Sequence, residues 1–294
     1  MHTTDIKVYA NTMAKKILFA NNTANGVLVS TSNQTYTFTA NKGVILAAGA
    51  LQSPQLLMVS GVGPRDALQA YDIPVTKDLP GVGQNMMDHV YFSVTHRVNV
   101  PTASKLVYDQ EYAAAAAECY KANGTGPLTT AVDMIAFERL VDNAPHVLPN
   151  ATIDALRAKY PSDWPDVEYV TQDTWSNVSN ADIELGDDHS NYAALLAAML
   201  SPFARGNITI SSASASDPPV INPNWLNDPR DRDVAIAAVK RMREIWSHMD
   251  DIIIGEEFNP DSRGTKRYDL GLGPEGCDHY LACLLDLQDG KERG

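Results

Sequence analysis

The hydrophobic pattern of the first 90 residues predicts a small sheet that leads into a strand, a tight turn and a helix. Alternating polar and apolar positions, interrupted by short polar turns, predict strands over residues 6–9, 16–19, 26–30 and 35–39. The apolar run Val44–Leu46 is typical of a short strand that is buried on both faces. Ser53 and Pro54 then carry the signals of a helix N-cap and a first helical turn. We therefore expect an antiparallel meander beside a buried strand and its following helix.

The pattern changes beyond residue 90, where longer segments predict further strands and helices. Strands are predicted over residues 91–98, 167–171 and 207–211. Helical periodicity predicts helices over residues 103–123, 152–159 and 233–246, and residues 227–231 supply helix-start signals for the last. The last of these keeps its apolar residues on one face, which indicates a helix that packs against a core. The whole pattern indicates a mixed α/β fold of the α+β type.

The amino-acid composition is that of a folded, acidic protein. A chain of 294 residues, 44% hydrophobic and 20% charged, has room for one large or two ordinary domains. Its 36 acidic residues outweigh 23 basic ones, and the formal charge of -13 disfavours nucleic acid and anionic membranes as partners. No apolar run reaches the roughly 20 residues that a membrane helix needs. The N-terminal segment MHTTDIKVYA also lacks the apolar core of a signal peptide.

Neither the cysteines nor the acidic residues form a pattern typical of a disulfide framework or a metal site. Cys119, Cys277 and Cys283 make no disulfide framework, and the last two have no matching pair that would complete a zinc site. The segment Asp187–His189 is an acidic cluster that could hold a cation, but an exposed loop has the same composition. We predict free thiols and no metal ion.

Asn-x-Ser/Thr sequons are more frequent than chance would give, which indicates descent from a protein of the secretory pathway. They occur at Asn21, Asn33, Asn123, Asn150, Asn177 and Asn207. Such a descent conflicts with the missing signal peptide, which secretion would require. The conflict is resolved if the chain begins downstream of the parent protein's N-terminus, and we expect the parent enzyme to be secreted or to enter the secretory pathway.

The segment Gly43–Gly63 is the strongest candidate for a cofactor site. Ala47, Ala48, Gly49 and Ala50 remove side-chain bulk where the predicted strand ends, which lets a ligand approach the backbone closely. The carboxyl edge of a parallel sheet is also where α/β proteins bind dinucleotides. A plain strand-turn-helix connection, with small residues for packing alone, explains the same residues equally well.

A specific resemblance runs through this segment. The chain reads Gly49-Ala50-x-x-Ser53-Pro54-x-Leu56-Leu57-x-x-Ser60-Gly61-Val62-Gly63, which resembles a signature of the glucose-methanol-choline (GMC) family of FAD-dependent oxidoreductases. The resemblance implies FAD as the cofactor, with Ala48, Gly49 and Ala50 as cofactor-binding residues. It also implies that Ala14, which stands at the place matching the second strand of the family's meander, offers its backbone to the adenine.

Other segments extend the resemblance as far as residue 258. They are PGVGQNMMDH at 80–89, SPFARGNITI at 201–210 and PVINPNWLNDPRD at 219–231. The resemblance implies a partial FAD-binding domain over 1–89 and a GMC-type substrate-binding domain over 90–260, whose antiparallel sheet is flanked by helices. Residues 261–294 resemble no part of the family, and we interpret them as a divergent tail.

Two parts of the family's catalytic apparatus are not found. No G-x-G-x-x-G turn, which would meet a pyrophosphate at a helix N-terminus, precedes Gly43–Gly63. In the family a downstream histidine accepts the alcohol proton, but His279 lacks the expected sequence context and His89 lies too early in the chain. We therefore assign no catalytic residue. We expect an internal fragment that lacks both the N-terminal dinucleotide-binding motif and the C-terminal histidine segment.

Three functions stay open on the sequence. The resemblance implies a FAD-dependent oxidoreductase acting on the CH–OH group of a small-molecule alcohol, with this chain alone inactive. A non-catalytic substrate-domain binding module is the second hypothesis, and a GMC-derived lyase or cyclase with a structural flavin is the third. The oligomeric state is left open. A strand at Val44–Leu46 without its parallel neighbours predicts that the isolated chain aggregates.

Overall fold

The computed structural model describes residues 6–32, 34–129, 134–175 and 189–259, which fall into two compact units. The strands are β1 Met13–Ala20, β2 Thr23–Thr31, β3 Gln34–Thr39, β4 Val62–Gly63, β5 Lys77–Asp78, β6 Gln84–Met86, β7 Tyr91–Val98, β8 Ile135–Glu138, β9 Val167–Gln172, β10 Asn191–Met199, β11 Gly206–Thr209, β12 Val220–Asn222 and β13 Ile253–Asn259. The α-helices are α1 Gly49–Val59, α2 Arg65–Gln69, α3 Lys105–Tyr108, α4 Gln110–Asn123, α5 Leu140–Asn143, α6 Asn150–Lys159 and α7 Pro229–Trp246. The first unit extends to residue 88 and includes 204–225, and the second contains 89–203 and continues from 226.

The first unit is built on the antiparallel meander β1-β2-β3, with α1 packed against β1. Ile17 of β1 is buried in one hydrophobic cluster with Leu56 and Met58 of α1. Ser60 joins the two elements, because its hydroxyl accepts a hydrogen bond from the Ile17 amide at 2.8 Å and donates one to the Leu56 carbonyl at 2.5 Å. Buried polar groups of this kind are tolerated when they are hydrogen-bonded. The end of α1 is thereby fixed on the sheet.

The strand predicted over residues 6–9 is wrong. This segment carries no strand assignment, and Ile6 and Val8 are largely exposed. The ring of Tyr9 instead lies 4.7 Å from the ring of Phe38, measured between centroids. Alternation of polar and apolar residues indicates a surface that could be half-buried, but it does not supply the neighbouring strand that a sheet needs.

A second small sheet, of order β12-β11-β6, brings residues 204–225 into the first unit. Asn207 of β11 is paired with Asn222 on one side and with Gln84 on the other. Next to this pairing, the Ile208 amide donates to the Gly83 carbonyl at 2.7 Å. From the sequence, residues 204–225 were assigned to the substrate-binding segment 90–260, because hydrophobic periodicity does not reveal that β11 pairs with a strand far upstream.

The second unit is a five-stranded antiparallel sheet of order β13-β7-β10-β9-β8, with α7 packed on one face. Val234, Ala238 and Met242 of α7 are buried in one cluster with Val94 of β7. The strand predicted over residues 91–98 forms as β7. The antiparallel sheets and their packed helices confirm the mixed α/β fold class.

Capping side chains set the helix limits in this unit. Helix α7 begins at Pro229, within the helix-start signals at residues 227–231, and the Asp228 carboxylate accepts a hydrogen bond from the Arg230 amide at 3.0 Å. The single helix predicted over 103–123 is divided at Asp109, whose backbone is extended. The Asp109 carboxylate accepts from the Tyr112 amide at 2.9 Å and starts α4. A local cap therefore overrides the continuous helical periodicity.

His96 lies on the face of β7 that contacts α7. It is 9% exposed, and its ring centroid lies 4.8 Å from that of Trp246. Its Nδ1 atom has no hydrogen-bond partner among the residues that the structure describes. Burial lowers the pKa of His96, and this shift is opposed by Glu257 and reinforced by Arg243. The fold therefore favours the neutral form of this imidazole.

We expect the protein to lose stability as the pH falls below about 6.5, the ordinary pKa of histidine. The unfolded chain binds a proton at His96 before the folded chain does, because the folded pKa is lowered. The stability that neutral His96 contributes is complete above the pKa of this residue in the unfolded chain. It is lost as the pH falls towards the pKa of His96 in the folded chain, at no more than about 1.4 kcal/mol per pH unit. Urea denaturation across this range should show a steeper loss for the wild type than for His96→Phe. Equal slopes would contradict the assignment.

Candidate functional site

The segment Val44–Leu46 lies at the surface of the first unit and not within a sheet. It carries no strand assignment, and Ile45 is 95% exposed. The predicted strand buried on both faces is therefore wrong. A strand is stabilised by its hydrogen-bonded neighbours, and β1, β2 and β3 pair only with one another in the described part of the chain. Leu46 nevertheless packs against the cluster around Leu56.

Helix α1 begins at Gly49, earlier than the N-cap predicted at Ser53. Gly49 has a φ of +80°, a backbone conformation that residues with a side chain rarely adopt. The Ser53 hydroxyl accepts a hydrogen bond from the Ala48 amide at 3.1 Å, so this serine caps the start of the helix from within it. Pro54 also lies inside the helix. The Ser-Pro pair was misread because the same residues commonly mark a helix start.

The residues Ala47, Ala48, Gly49 and Ala50 form an exposed strip without side-chain bulk, which we call the α1 entry strip. A Cβ atom built on Gly49 meets no atom within 4 Å, so glycine is required there for its backbone conformation. The first turn of α1 carries no acidic side chain. A flat ligand group can therefore lie directly against this backbone, without a nearby carboxylate in that turn to repel an anion.

The buried side of α1 holds the strip in place. Leu56, Met58 and Val59 belong to the core of the first unit. Gln55 is also buried, and its side-chain Nε2 donates a hydrogen bond to the Asp217 carbonyl at 2.5 Å. Sequence reasoning missed Gln55. The available signal was that Gln55 is a polar residue within an otherwise apolar helical turn. A strip carried on such an anchored helix is pre-organised for binding.

Ala14 lies on β1, where it is half-buried and packs against the same cluster as α1. The structure thus places Ala14 on β1 and Ala48, Gly49 and Ala50 at the start of α1, and these two elements of the first unit are in contact. The last three are also continuous on the surface. Their role in binding a cofactor stays a prediction.

The other candidate residues form no second site in the part of the chain that the structure describes. The ring of His189 stacks on that of Tyr108, with centroids 5.3 Å apart. Within residues 6–32, 34–129, 134–175 and 189–259, no group of three His, Cys, Asp or Glu side chains could hold a metal ion. No helix within these ranges is long and apolar enough to cross a membrane. Several candidates lie outside the described residues, namely Asp187, Asp188, Cys277, Cys283 and His279.

Sequence reasoning also missed a glycine pattern near the end of the chain. Gly271, Gly273 and Gly276 have the spacing G-x-G-x-x-G, and they lie outside the described residues. They follow Gly43–Gly63, whereas the pyrophosphate-binding turn lies in the first βα unit of its domain. The spacing alone therefore assigns them no role.

Two sequence profiles of one family match the chain. Both are described as GMC oxidoreductase, and they match residues 1–91 and 202–275. The first of them contains the α1 entry strip and Gly83. The second match extends past residue 260, into the segment interpreted from the sequence as a divergent tail. The chain belongs to the GMC oxidoreductase family. The resemblance inferred from the segment Gly49–Gly63 is thereby confirmed.

Curated relatives agree with this assignment. The chain is 42% identical over 263 residues to dehydrogenase pkfF of Emericella nidulans and 41% identical over 263 residues to patulin synthase of Penicillium expansum. It is 38% identical over 296 residues to versicolorin B synthase of Aspergillus parasiticus. These matches cover 88%, 88% and 99% of this chain, but 42%, 42% and 44% of the relatives. The chain therefore spans less than half the length of these relatives.

Solved structures share the fold. A formate oxidase of Aspergillus oryzae matches with a TM-score of 0.75 at 21% identity, over 84% of this chain and 45% of that chain. A FAD-dependent oxidoreductase of Chaetomium thermophilum matches with a TM-score of 0.68 at 26% identity, over 86% of this chain and 47% of that chain. The two compact units of this chain thus occur together in larger flavoenzymes.

Proposed function

We propose that this chain forms part of a FAD-dependent oxidoreductase that oxidises the CH–OH group of a small-molecule alcohol. The observation that carries the proposal is the α1 entry strip, which lies within the segment that matches the family profile. The FAD-dependent enzyme of Chaetomium thermophilum supports it, because it shares the fold over 86% of this chain.

The residues present fit one side of FAD. Ala48, Gly49 and Ala50 would hold the cofactor against a surface without side-chain bulk, and Ala14 would offer its backbone to the adenine. FAD, when bound, supplies an acceptor for the hydride of the alcohol. The chain's own contribution is to anchor and orient this surface through the buried side of α1. No residue in the described part of the chain is assigned as the base that takes the alcohol proton.

The names of the relatives favour one alternative. Patulin synthase and versicolorin B synthase are called synthases, and the second matches 99% of this chain. A GMC-derived lyase or cyclase with a structural flavin is therefore the second candidate. It would use the same α1 entry strip to hold the cofactor.

Flavin retention tests the cofactor assignment. We expect the purified chain alone to retain no flavin after incubation with FAD and gel filtration. Co-expression with the part of patulin synthase that lies outside the matched region should restore retention. In that complex Gly49→Val should reduce the affinity for FAD by about tenfold or more, because the free protein can relieve about 1–2 kcal/mol of left-handed strain by moving this backbone away from its cofactor-binding conformation. Gly81→Ala is the matched control, because a Cβ atom there meets no atom within 4 Å.

Anaerobic addition of an alcohol to the flavin-loaded complex separates the functions. Bleaching of the bound flavin is expected for an oxidoreductase. Product formation without an electron acceptor would indicate a lyase or cyclase, and calorimetric binding of the alcohol without flavin would indicate the binding module. Unchanged flavin affinity in Gly49→Val would contradict the placement of the cofactor on the α1 entry strip.

We also propose that the protein passes through the secretory pathway. The sequons support this, because Asn21, Asn123 and Asn150 are all exposed in the folded chain. Asn33 and Asn177 lie outside the described residues. A loss of mass when the protein from its native host is treated with a glycosidase would support the secretory route. The absence of glycan at every sequon would contradict this route.

A further inference from the structure

We propose that Asn123 is an N-glycosylation site whose first sugar packs against the ring of Tyr120. The inference rests on the proposed secretory route and concerns the C-terminal end of α4, in the second unit. It names one modified residue and one aromatic contact, neither of which follows from the family assignment.

The end of α4 offers an open surface to a glycan. Asn123 is the last residue of this helix, and every residue over 121–126 is exposed. Gly124 follows with a φ of +64°, and its amide donates to the Tyr120 carbonyl at 2.7 Å, which ends the helix. A Cβ atom built on Gly124 meets no atom within 4 Å. The sequon Asn123-Gly124-Thr125 therefore lies on an exposed turn, where the Thr125 hydroxyl oxygen is 3.5 Å from Cys119 Sγ.

The modification is a group transfer from a lipid-linked oligosaccharide diphosphate. A bond forms between the Asn123 amide nitrogen and the anomeric carbon of the first sugar, and the bond from that carbon to the phosphate oxygen breaks. The amide nitrogen loses a proton, and the lipid diphosphate leaves. The acceptor needs the hydroxyl at the third sequon position, which here is the exposed Thr125.

Tyr120 gives the glycan a specific contact. It precedes Asn123 by three positions on α4, and residues with this spacing are neighbours on one helix face. The tyrosine is 49% exposed, which leaves much of an aromatic surface in water. A sugar linked to Asn123 would cover this surface with its C–H groups. Removing the ring from water favours the packed arrangement.

The other sequons of the described residues lack this combination. Asn150 is exposed, but its Thr152 hydroxyl is buried and donates to the Asp233 carboxylate at 2.6 Å. Asn207 is half-buried in β11, which is paired on both sides. Asn21 is exposed at the turn between β1 and β2, and Leu18 stands three positions before it. Among these sequons, only Asn123 has an aromatic residue at that spacing.

Peptide mapping tests the modification. The full chain is directed into the secretory pathway of a fungal host, and the tryptic peptide 122–139 is analysed after treatment with an amide-cleaving glycosidase. We expect Asn123 to be converted to aspartate, and we expect Asn123→Gln and Thr125→Ala each to lose one glycan. Unmodified Asn123 in a chain glycosylated elsewhere would overturn the inference and leave the secretory route intact. A chain without glycan at any sequon would also overturn the inference, while the secretory route is tested separately on the protein from its native host and the flavin tests would be unaffected.

A thermal-shift comparison tests the packing. Tyr120→Ala should lower the melting temperature of the glycosylated chain more than that of the enzymatically deglycosylated chain. Tyr71→Ala is the matched control, because Tyr71 is also exposed and is not close to a sequon in the sequence. It should change both forms equally. An equal effect of Tyr120→Ala on both forms would overturn the contact with the sugar.

Discussion

Gly83→Ala is expected to open the sheet β12-β11-β6 and to destabilise the first unit by about 2–4 kcal/mol. Gly83 has a φ of +77°, which costs a residue with a Cβ atom about 1–2 kcal/mol. The added Cβ would also lie 2.1 Å from the Ile208 carbonyl oxygen, so one of the two backbone segments must move. That movement breaks the hydrogen bond from the Ile208 amide to the Gly83 carbonyl, worth about 1 kcal/mol.

Urea denaturation gives the loss of stability, and hydrogen exchange of the β11 amides shows where it occurs. Gly81→Ala is the matched control from the same loop, since its Cβ would meet no atom within 4 Å and its φ lies outside the left-handed region. We expect the control to change stability by no more than about 0.5 kcal/mol. If both variants behave alike, the close approach of Gly83 to β11 is not a feature of the protein in solution.

Local patterns predicted those elements that carry their own signals. Strand β7 has a recognisable alternation of apolar and polar residues and forms over Tyr91–Val98, as predicted. Helix α7 has one apolar face, and the Asp228-Pro229 pair marks its start. The motif Gly49–Gly63 identified the family, because its spacing combines many fixed residue types in a short segment. In each case the deciding information lies within a few turns or one strand of the chain.

Elements that depend on a distant partner could not be predicted in this way. Val44–Leu46 has the composition of a buried strand, but it has no partner in the described part of the chain, and Ile45 faces solvent. Strand β11 was expected, but its pairing with β6 was not, because a short polar strand such as Gln84–Met86 carries little hydrophobic pattern. The candidate site was therefore identified by residue type, whereas its exposure and its anchoring through Gln55 required the structure.

Glu138→Ala is expected to destabilise the second unit by about 2–4 kcal/mol, because it removes the acceptor shared by two partners. The Glu138 side chain is 12% exposed. It accepts a hydrogen bond from the Tyr169 hydroxyl at 2.9 Å, and Arg241 Nη2 lies 3.1 Å from its Oε1 atom. These contacts tie β8 and β9 to α7. Without the carboxylate, the buried Tyr169 hydroxyl loses its acceptor, while Arg241 keeps Glu244 as a partner at 2.8 Å.

Denaturation of three variants shows how much of this loss of stability comes from the hydrogen bond and how much from the charge. Glu138→Gln keeps an acceptor for Tyr169 and should lose less stability than Glu138→Ala, because the hydrogen bond can persist without the charge. Arg65→Met removes an ion pair with Asp78 whose side chains are 52% and 38% exposed, and it should cost no more than about 1 kcal/mol. If Glu138→Ala costs no more than Arg65→Met, the cluster is an ordinary surface ion pair. The link from the sheet edge to α7 would then rest on the apolar core alone.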